Sequence, residues 1–229
     1  MSTLLEIAQK YKECDKMGKH CVHYFDIYDH HFTPFRDKPI KLLEIGINSG
    51  RSLEIWKEYF PNGTIVGVDV DLRNGVNKYL RNRQIIGYKG NAAEEDVINQ
   101  IIKDHEGFDI IIDDGSHLSW QQKKSFELLF PHVKCGGFYI VEDLFTSYWD
   151  EHVQDQQPFI DFCKSIINNI NYAAYRVSGW KEKSNKRYTT KPLNFYEKHL
   201  ANVHFYKGLV IFYKKEEDKL NDEFIIESC

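Results

Sequence analysis

From residue 40 onward, short apolar runs alternate with amphipathic stretches of helical period, a pattern that predicts βαβ units and a mostly parallel sheet with helices on both faces. The runs at 40–46 (IKLLEIG), 64–69 (TIVGVD), 84–88, 108–113 (FDIIID) and 137–141 (GFYIV) read as strands. The stretches at 51–59, 94–104, 118–130 and 156–169 read as helices, with Glu94, Glu95 and Asp96 suited to the first turn of the second. Pro61-Asn62-Gly63 is a turn signal, and Gly136-Gly137 breaks the chain before the fifth strand. VHFY (203–206) and LVIFYK (209–214), joined at Lys207-Gly208, read as an antiparallel hairpin. The first 38 residues look helical. The chain thus divides into a helical cap over 1–38, a Rossmann-like α/β domain over 39–216 and a charged tail over 217–229, with a polar, basic loop from Lys181 to Lys191.

In such a sheet, ligands bind at the C-terminal ends of the strands. Leu43-Glu44-Ile45-Gly46-Ile47-Asn48-Ser49-Gly50 falls at the first strand-to-helix turn, where Gly46, Asn48 and Gly50 would let the backbone approach a ligand. Asp69 ends the second strand, the place for a carboxylate that binds ribose hydroxyls. Gly90-Asn91-Ala92 follows the third, with Asn91 and Ala92 placed to meet an adenine. These features predict a nucleoside-type cofactor. The tight G-x-G-x-x-G turn of a dinucleotide site is absent, and Glu44 would repel a pyrophosphate but suits a cationic amine. S-adenosylmethionine fits; a nicotinamide cofactor and dehydrogenase chemistry remain the alternative.

Asp113-Asp114-Gly115-Ser116-His117 ends the fourth strand and Glu142-Asp143 ends the fifth. If these strands are parallel neighbours about 5 Å apart, carboxylates and an imidazole meet at one sheet edge. An alcohol hydroxyl is a poor nucleophile near neutrality, so a cation on its oxygen and a base for its proton supply what methyl transfer needs. Clustered carboxylates with open positions suit octahedral magnesium better than zinc.

LLEIGINSGRSLEIWKEYFPNGTIVGVDVD and IIDDGSHLSWQQKKSFELLFPHVKCGGFYIVEDLFTSYW resemble the class I S-adenosylmethionine-dependent O-methyltransferases that modify sugars of macrolide antibiotics, the mycinamicin and tylosin type. Related enzymes act on sugars of bacterial surface polysaccharides, capsular ones included. The resemblance covers roughly residues 15–150 and, more weakly, the hairpin. It implies Mg²⁺ ligands at Asp114, Glu142 and Asp143 and a general base at His117, with Asp113 orienting backbone or cofactor. Asp15-Lys16 with His20, His23, Tyr24 and Tyr28 is similar to the family's opening segment near cofactor and acceptor, which makes His20 and Tyr24 candidate substrate contacts. Tyr148 and Trp149 could stack on a sugar ring or pack beneath the cap. Residues 170–200 match no family segment, so the acceptor stays open between a sugar or sugar-linked hydroxyl and a phosphoryl-type or other small acceptor.

The remaining composition sets limits. A formal net charge of −4 gives no reason to expect nucleic acid. No apolar run reaches the roughly 18 residues of a membrane span. The five cysteines are scattered without C-x-x-C, which points away from a disulfide framework or thiolate zinc and towards a reducing cytoplasm. His20, His23, His30 and His31 lack zinc-ligand spacing. The expected partner is a small-molecule or glycan acceptor, and the resemblance implies homo-oligomers joined through N-terminal elements. A cofactor-binding subunit without catalysis is the rival from another class.

Overall fold

A computed structural model describes residues 2–72, 85–178 and 193–215. Its helices are α1 (Leu4–Ala8), α2 (Tyr24–Phe32), α3 (Arg51–Tyr59), α4 (Glu95–His105), α5 (Ser119–Leu129), α6 (Asp150–Val153), α7 (Phe159–Ser178) and α8 (Phe195–His199). Its strands are β1 (Lys41–Ile45), β2 (Thr64–Asp69), β3 (Ile85–Lys89), β4 (Phe108–Asp113), β5 (Val133–Val141), β6 (Leu200–Tyr206) and β7 (Leu209–Lys214). They form one sheet in the order β3-β2-β1-β4-β5-β7-β6. β1 to β5 are parallel, whereas β7 runs antiparallel to both β5 and β6. This is the mostly parallel sheet with an antiparallel C-terminal hairpin that the strand pattern predicts.

The continuous apolar runs are explained by burial on both faces. Side chains alternate, so Leu42, Ile110, Ile112 and Ile140 face one cluster while Leu43, Ile111, Tyr139 and Val141 face the other. The first cluster packs α1, α2 and α3, including Tyr24, Phe25, Tyr28, Phe32 and Trp56. The second packs α4, α5 and α7 through Ile98, Ile101, Phe126, Leu129, Phe159 and Ile166. The segment before β1 is therefore built into the core of one face, with a 3₁₀ turn at Asp15–Met17 between α1 and α2 and another at Thr33–Phe35 between α2 and β1.

Three elements differ from the pattern reading. β5 begins at Val133, because Gly136 and Gly137 form an irregularity within the strand instead of ending it. Gly136 takes φ +84°, and a Cβ on Gly137 would lie 2.3 Å from the Asp109 carbonyl oxygen, so only glycine admits the close approach of β4. α7 starts at Phe159 and runs to Ser178, beyond the expected span. α8 was not expected, although Asn194 and Glu197 form a reciprocal capping box at its start. The basic loop 181–191 and the tail 217–229 lie outside the described residues. Among the described residues, no helix is long and apolar enough to cross a membrane.

Gly46 sets the geometry of the ligand edge: its φ is +77°, and a Cβ there would sit 2.1 Å from the Asp114 carbonyl oxygen. Gly46→Ala should cost at least about 2 kcal/mol, from the left-handed backbone plus the displaced β4 loop. Urea unfolding measures it, and an unchanged midpoint would contradict the close approach.

On the face that holds α2, His31 places Nε2 2.8 Å from the Tyr206 hydroxyl oxygen, and its ring lies 5.1 Å from His30 and 5.4 Å from His204. Burial, assisted by His204 and His30, pushes its pKa down from 6.5 to about 4. The folded state thus disfavours the imidazolium, so this contribution to stability is full above pH 6.5 and is lost as pH falls towards about 4. Unfolding midpoints followed from pH 7 to pH 4 should decline less steeply in His31→Gln; parallel curves for the two proteins would exclude the effect.

Candidate active site

The C-terminal ends of β1, β2, β4 and β5 open into a cavity of about 820 Å³. Twelve sequence-nominated residues line it: Gly46, Asn48, Asp69, Asn91, Ala92, Asp113, Asp114, His117, Glu142, Asp143, His20 and Trp149. Four do not. Gly50 caps α3 with φ +75°, Tyr148 is exposed on the surface, and Glu44 and Tyr24 lie buried behind the wall.

Glu44 carries out a different task from the one its position suggested. It is fully buried, accepts hydrogen bonds from Ser52 Oγ at 2.7 Å and Trp56 Nε1 at 3.0 Å, and so fixes the first turns of α3 to β1. Its other oxygen lies 3.3 Å from Lys16 Nζ. Lys16, only 2% exposed, also contacts Asp114 Oδ2 and lies 2.8 Å from Glu142 Oε1. Burial acts to lower the lysine pKa, but the carboxylates of Asp114, Glu142 and Glu44 outweigh it and hold the ammonium well above its usual range. Burial raises Glu142, and burial with the Glu142 charge raises Asp114, against the pull of Lys16. Tyr28 donates to the same Glu142 oxygen at 2.5 Å.

Above this layer, Asp114, His117 and Asp143 each turn one ligand atom to a common point, all within 4.8 Å of one another. His117 Nε2 is 3.7 Å from Asp143 Oδ2 and 3.9 Å from Asp114 Oδ1. His117 and Asp143 take left-handed backbone, φ 58° and 55°, an uncommon conformation for residues with a Cβ and one found where a site over-determines it. Burial pushes the His117 pKa below its ordinary range although Asp143 opposes, leaving a neutral imidazole at pH 7. Tyr24 donates to Asp143 Oδ1 and to the Gly208 carbonyl, both at 3.0 Å, which ties the β6–β7 turn to the site. Glu142 lines the cavity but is not part of this three-residue group.

On the cofactor side, Asp69 Oδ2 accepts from the backbone amides of Ile47 at 2.9 Å and Asn48 at 3.1 Å, holding the glycine turn to β2. Asn91 Oδ1 accepts from the Ala93 amide at 2.9 Å. Asp113 accepts from Tyr139 Oη and the Gly115 amide, and burial pushes its pKa up to about 7. The N-terminal imidazoles do not converge: His20 lines the cavity, His23 bonds the Lys207 carbonyl, and His30 and His31 lie beside the hairpin.

Several lining residues were missed by pattern reading. Lys16 was named only within the opening segment, with no role assigned to it; its neighbour Asp15 accepts from Asn48 of the glycine turn at 3.2 Å. Gln122 and Ser125 sat on an amphipathic helix, and Phe145, Thr146 and His152 followed the acidic pair without a recognisable spacing.

No protein-family model matches the chain. It is 41% identical over 185 residues to L-olivosyl-oleandolide 3-O-methyltransferase of Streptomyces antibioticus, covering 72% of this chain and 45% of the relative. It is 40% identical over 158 residues to mycinamicin VI 2''-O-methyltransferase of Micromonospora griseorubida, covering 63% and 39%. Among solved structures it is similar to MycE methyltransferase from the mycinamycin biosynthetic pathway in complex with Mg, SAH and mycinamycin VI, with a TM-score of 0.79 and 27% identity over 95% of this chain and 55% of that one. The chain thus spans about half the length of the relatives it matches. Over that shared half, sequence and fold agree: the chain belongs to the class I S-adenosylmethionine-dependent methyltransferase family that includes the macrolide-sugar O-methyltransferases.

Proposed function

We propose that the protein is a magnesium-dependent O-methyltransferase that alkylates a hydroxyl of a sugar or sugar-linked small molecule with S-adenosylmethionine. The observation that carries this reading is the convergence of Asp114, His117 and Asp143 on a cavity that also takes in the glycine turn, Asp69 and Asn91. The related MycE structure contains Mg and SAH, and the donor set here fits a hard divalent cation. Charge supports the fit as well. Glu44, Asp114, Glu142 and Asp143 bring four carboxylates together, and Lys16 neutralises only one of them. Asp114 and Asp143 would hold the ion, with Glu142 as a third carboxylate that also grips Lys16.

With both groups bound, the sulfonium supplies the methyl group and the ion lowers the pKa of the acceptor hydroxyl. The chain's own residues do the rest. His117 Nε2 accepts the hydroxyl proton as the acceptor oxygen bonds to the methyl carbon and the carbon–sulfur bond breaks. By holding the ion, Asp114 and Asp143 would position the acceptor oxygen for the in-line displacement on which methyl transfer depends. Trp149, Phe145 and His152 line the outer cavity, where a sugar ring can rest against an aromatic face. The relatives are named for antibiotic glycosides, which makes a natural-product glycoside the first acceptor class to screen and a surface polysaccharide precursor the second. A cytoplasmic site of action fits the free thiols of Cys14, Cys21, Cys135 and Cys163.

A methyl-transfer screen over glycosides and nucleotide sugars, run with magnesium and with EDTA, tests the reading; turnover that survives chelation would remove the ion from it. Asp143→Asn should reduce turnover at least about a hundredfold while SAH affinity, followed by calorimetry, stays within about threefold. His117→Ala should lower kcat by about 10² to 10⁴ with cofactor affinity retained. Wild-type turnover in His117→Ala would pass the proton to another group.

A further inference from the structure

Gln122 is buried, 2% exposed, yet neither its amide nitrogen nor its amide oxygen has a hydrogen-bond partner among the described residues. It stands in the first turns of α5 and lines the cavity, with Ser125 beside it three residues on. A primary amide offers two donors and an acceptor oxygen with two lone pairs, and leaving one dry and unpaired costs about 1–3 kcal/mol. Ser125, the next buried position, is also polar, but Phe126 and Leu129 beyond it are packed core, so an apolar side chain at 122 would border that core without that cost. A polar group kept there needs a partner from outside the chain.

Its place in the cavity identifies the partner. α5 belongs to the cluster that also holds Ala92, Val66 and Val68, so Gln122 stands on the wall shared with the ends of β2 and β3. Lys16 belongs to the segment packed on the opposite face and, with the carboxylate layer, marks the reactive end. Asp69 and Asn91-Ala92 line the same cavity, and a nucleoside would extend along them from its sugar to its base.

We propose that Gln122 is a specificity-determining residue of the nucleoside subsite, its amide pairing with the amino group and adjacent ring nitrogen of adenine. That edge presents one donor beside one acceptor, and a planar carboxamide answers both at once. This inference rests on the reading of the cavity as an S-adenosylmethionine site.

The test is calorimetry of the wild-type protein and Gln122→Leu with two ligands: SAH and its analogue carrying purine in place of adenine, which lacks the amino group. The wild type should bind SAH about tenfold more tightly than the analogue, the worth of one well-placed hydrogen bond. Gln122→Leu should bind neither ligand more tightly than the wild type binds the analogue, abolishing the preference. The ligand-free variant should unfold at a temperature equal to or above that of the wild type, because a similar apolar volume replaces an unpaired amide. Gln122→Met provides a second variant of similar length if the first does not fold. A preference retained in the variants, an equal loss for both ligands, or a wild type indifferent to the amino group each overturns the assignment. Failure of the wild type to bind SAH at all would overturn the cofactor reading with it, whereas binding with an undiminished preference in the variants overturns Gln122 alone.

Discussion

One buried ammonium holds this active site together. Lys16 Nζ sits among carboxylates from the ends of β1, β4 and β5, and each of them would be an uncompensated charge in its absence. Breaking a buried pair by removing one partner costs about 3–5 kcal/mol, whereas exposed pairs such as Lys10–Glu58 contribute about 1 kcal/mol or less. The lysine is delivered by the segment before the sheet, whose Tyr24, Phe25, Tyr28 and Phe32 pack into the core of one face. Folding of that segment and assembly of the site are therefore one event, and Tyr28 and Tyr24 extend the link by donating to Glu142 and Asp143.

The same cluster leaves room for the proposed divalent cation even though a lysine sits beneath it. From the sequence, converging carboxylates demand a positive charge, and magnesium was the candidate; Lys16 answers part of that demand from below. It contacts Asp114 through Oδ2, while Oδ1 of the same carboxylate faces His117. Asp114 thus has one oxygen for the internal cation and one for the cavity. Asp143 is turned to the same point by a left-handed backbone that sequence alone does not favour. The division is between a lower layer that balances charge and an upper layer that presents oxygens.

Legibility in the sequence followed physical regularity. Continuous apolar runs, the glycine turn and the acidic strand ends are written in residue type and spacing, so β2, β4 and α3 fall where their patterns place them. Glu44 was legible as important but not as to direction: a strand residue points to one face or the other, and here it points to Ser52, Trp56 and Lys16 under the cavity. Gln122 was illegible because a long polar side chain on an amphipathic stretch normally meets water, and Lys16, named only within the opening segment, carried no sign of its burial among carboxylates. Only tertiary packing, which closes over both, gives them their chemistry. Gly136-Gly137 misled for a related reason, since glycine marks both chain breaks and the close approach of neighbouring strands.

The two walls of the cavity then carry different freedoms to change. The wall of β1, β4 and the N-terminal segment is fixed by charge, because altering any carboxylate unbalances the lysine beneath it. The wall of α5 and the β2 and β3 ends is fixed by the core, since Ala92 and Phe126 are buried in the second cluster. The segment after Asp143 is bound by neither constraint to the same degree: Phe145, Trp149 and His152 line the cavity, while Tyr148 is exposed and Trp149 half-exposed at its mouth. Its anchors are the Thr146 hydroxyl on the Asp143 carbonyl at 2.8 Å and the Ser147 hydroxyl accepting from the Ile160 amide at 3.3 Å, which hold the backbone and leave the aromatic faces unspecified. Substitution of Phe145, Trp149 or His152 can therefore reshape that side of the cavity without disturbing the ion pairs, whereas Leu144, buried in the second cluster, is bound to the core.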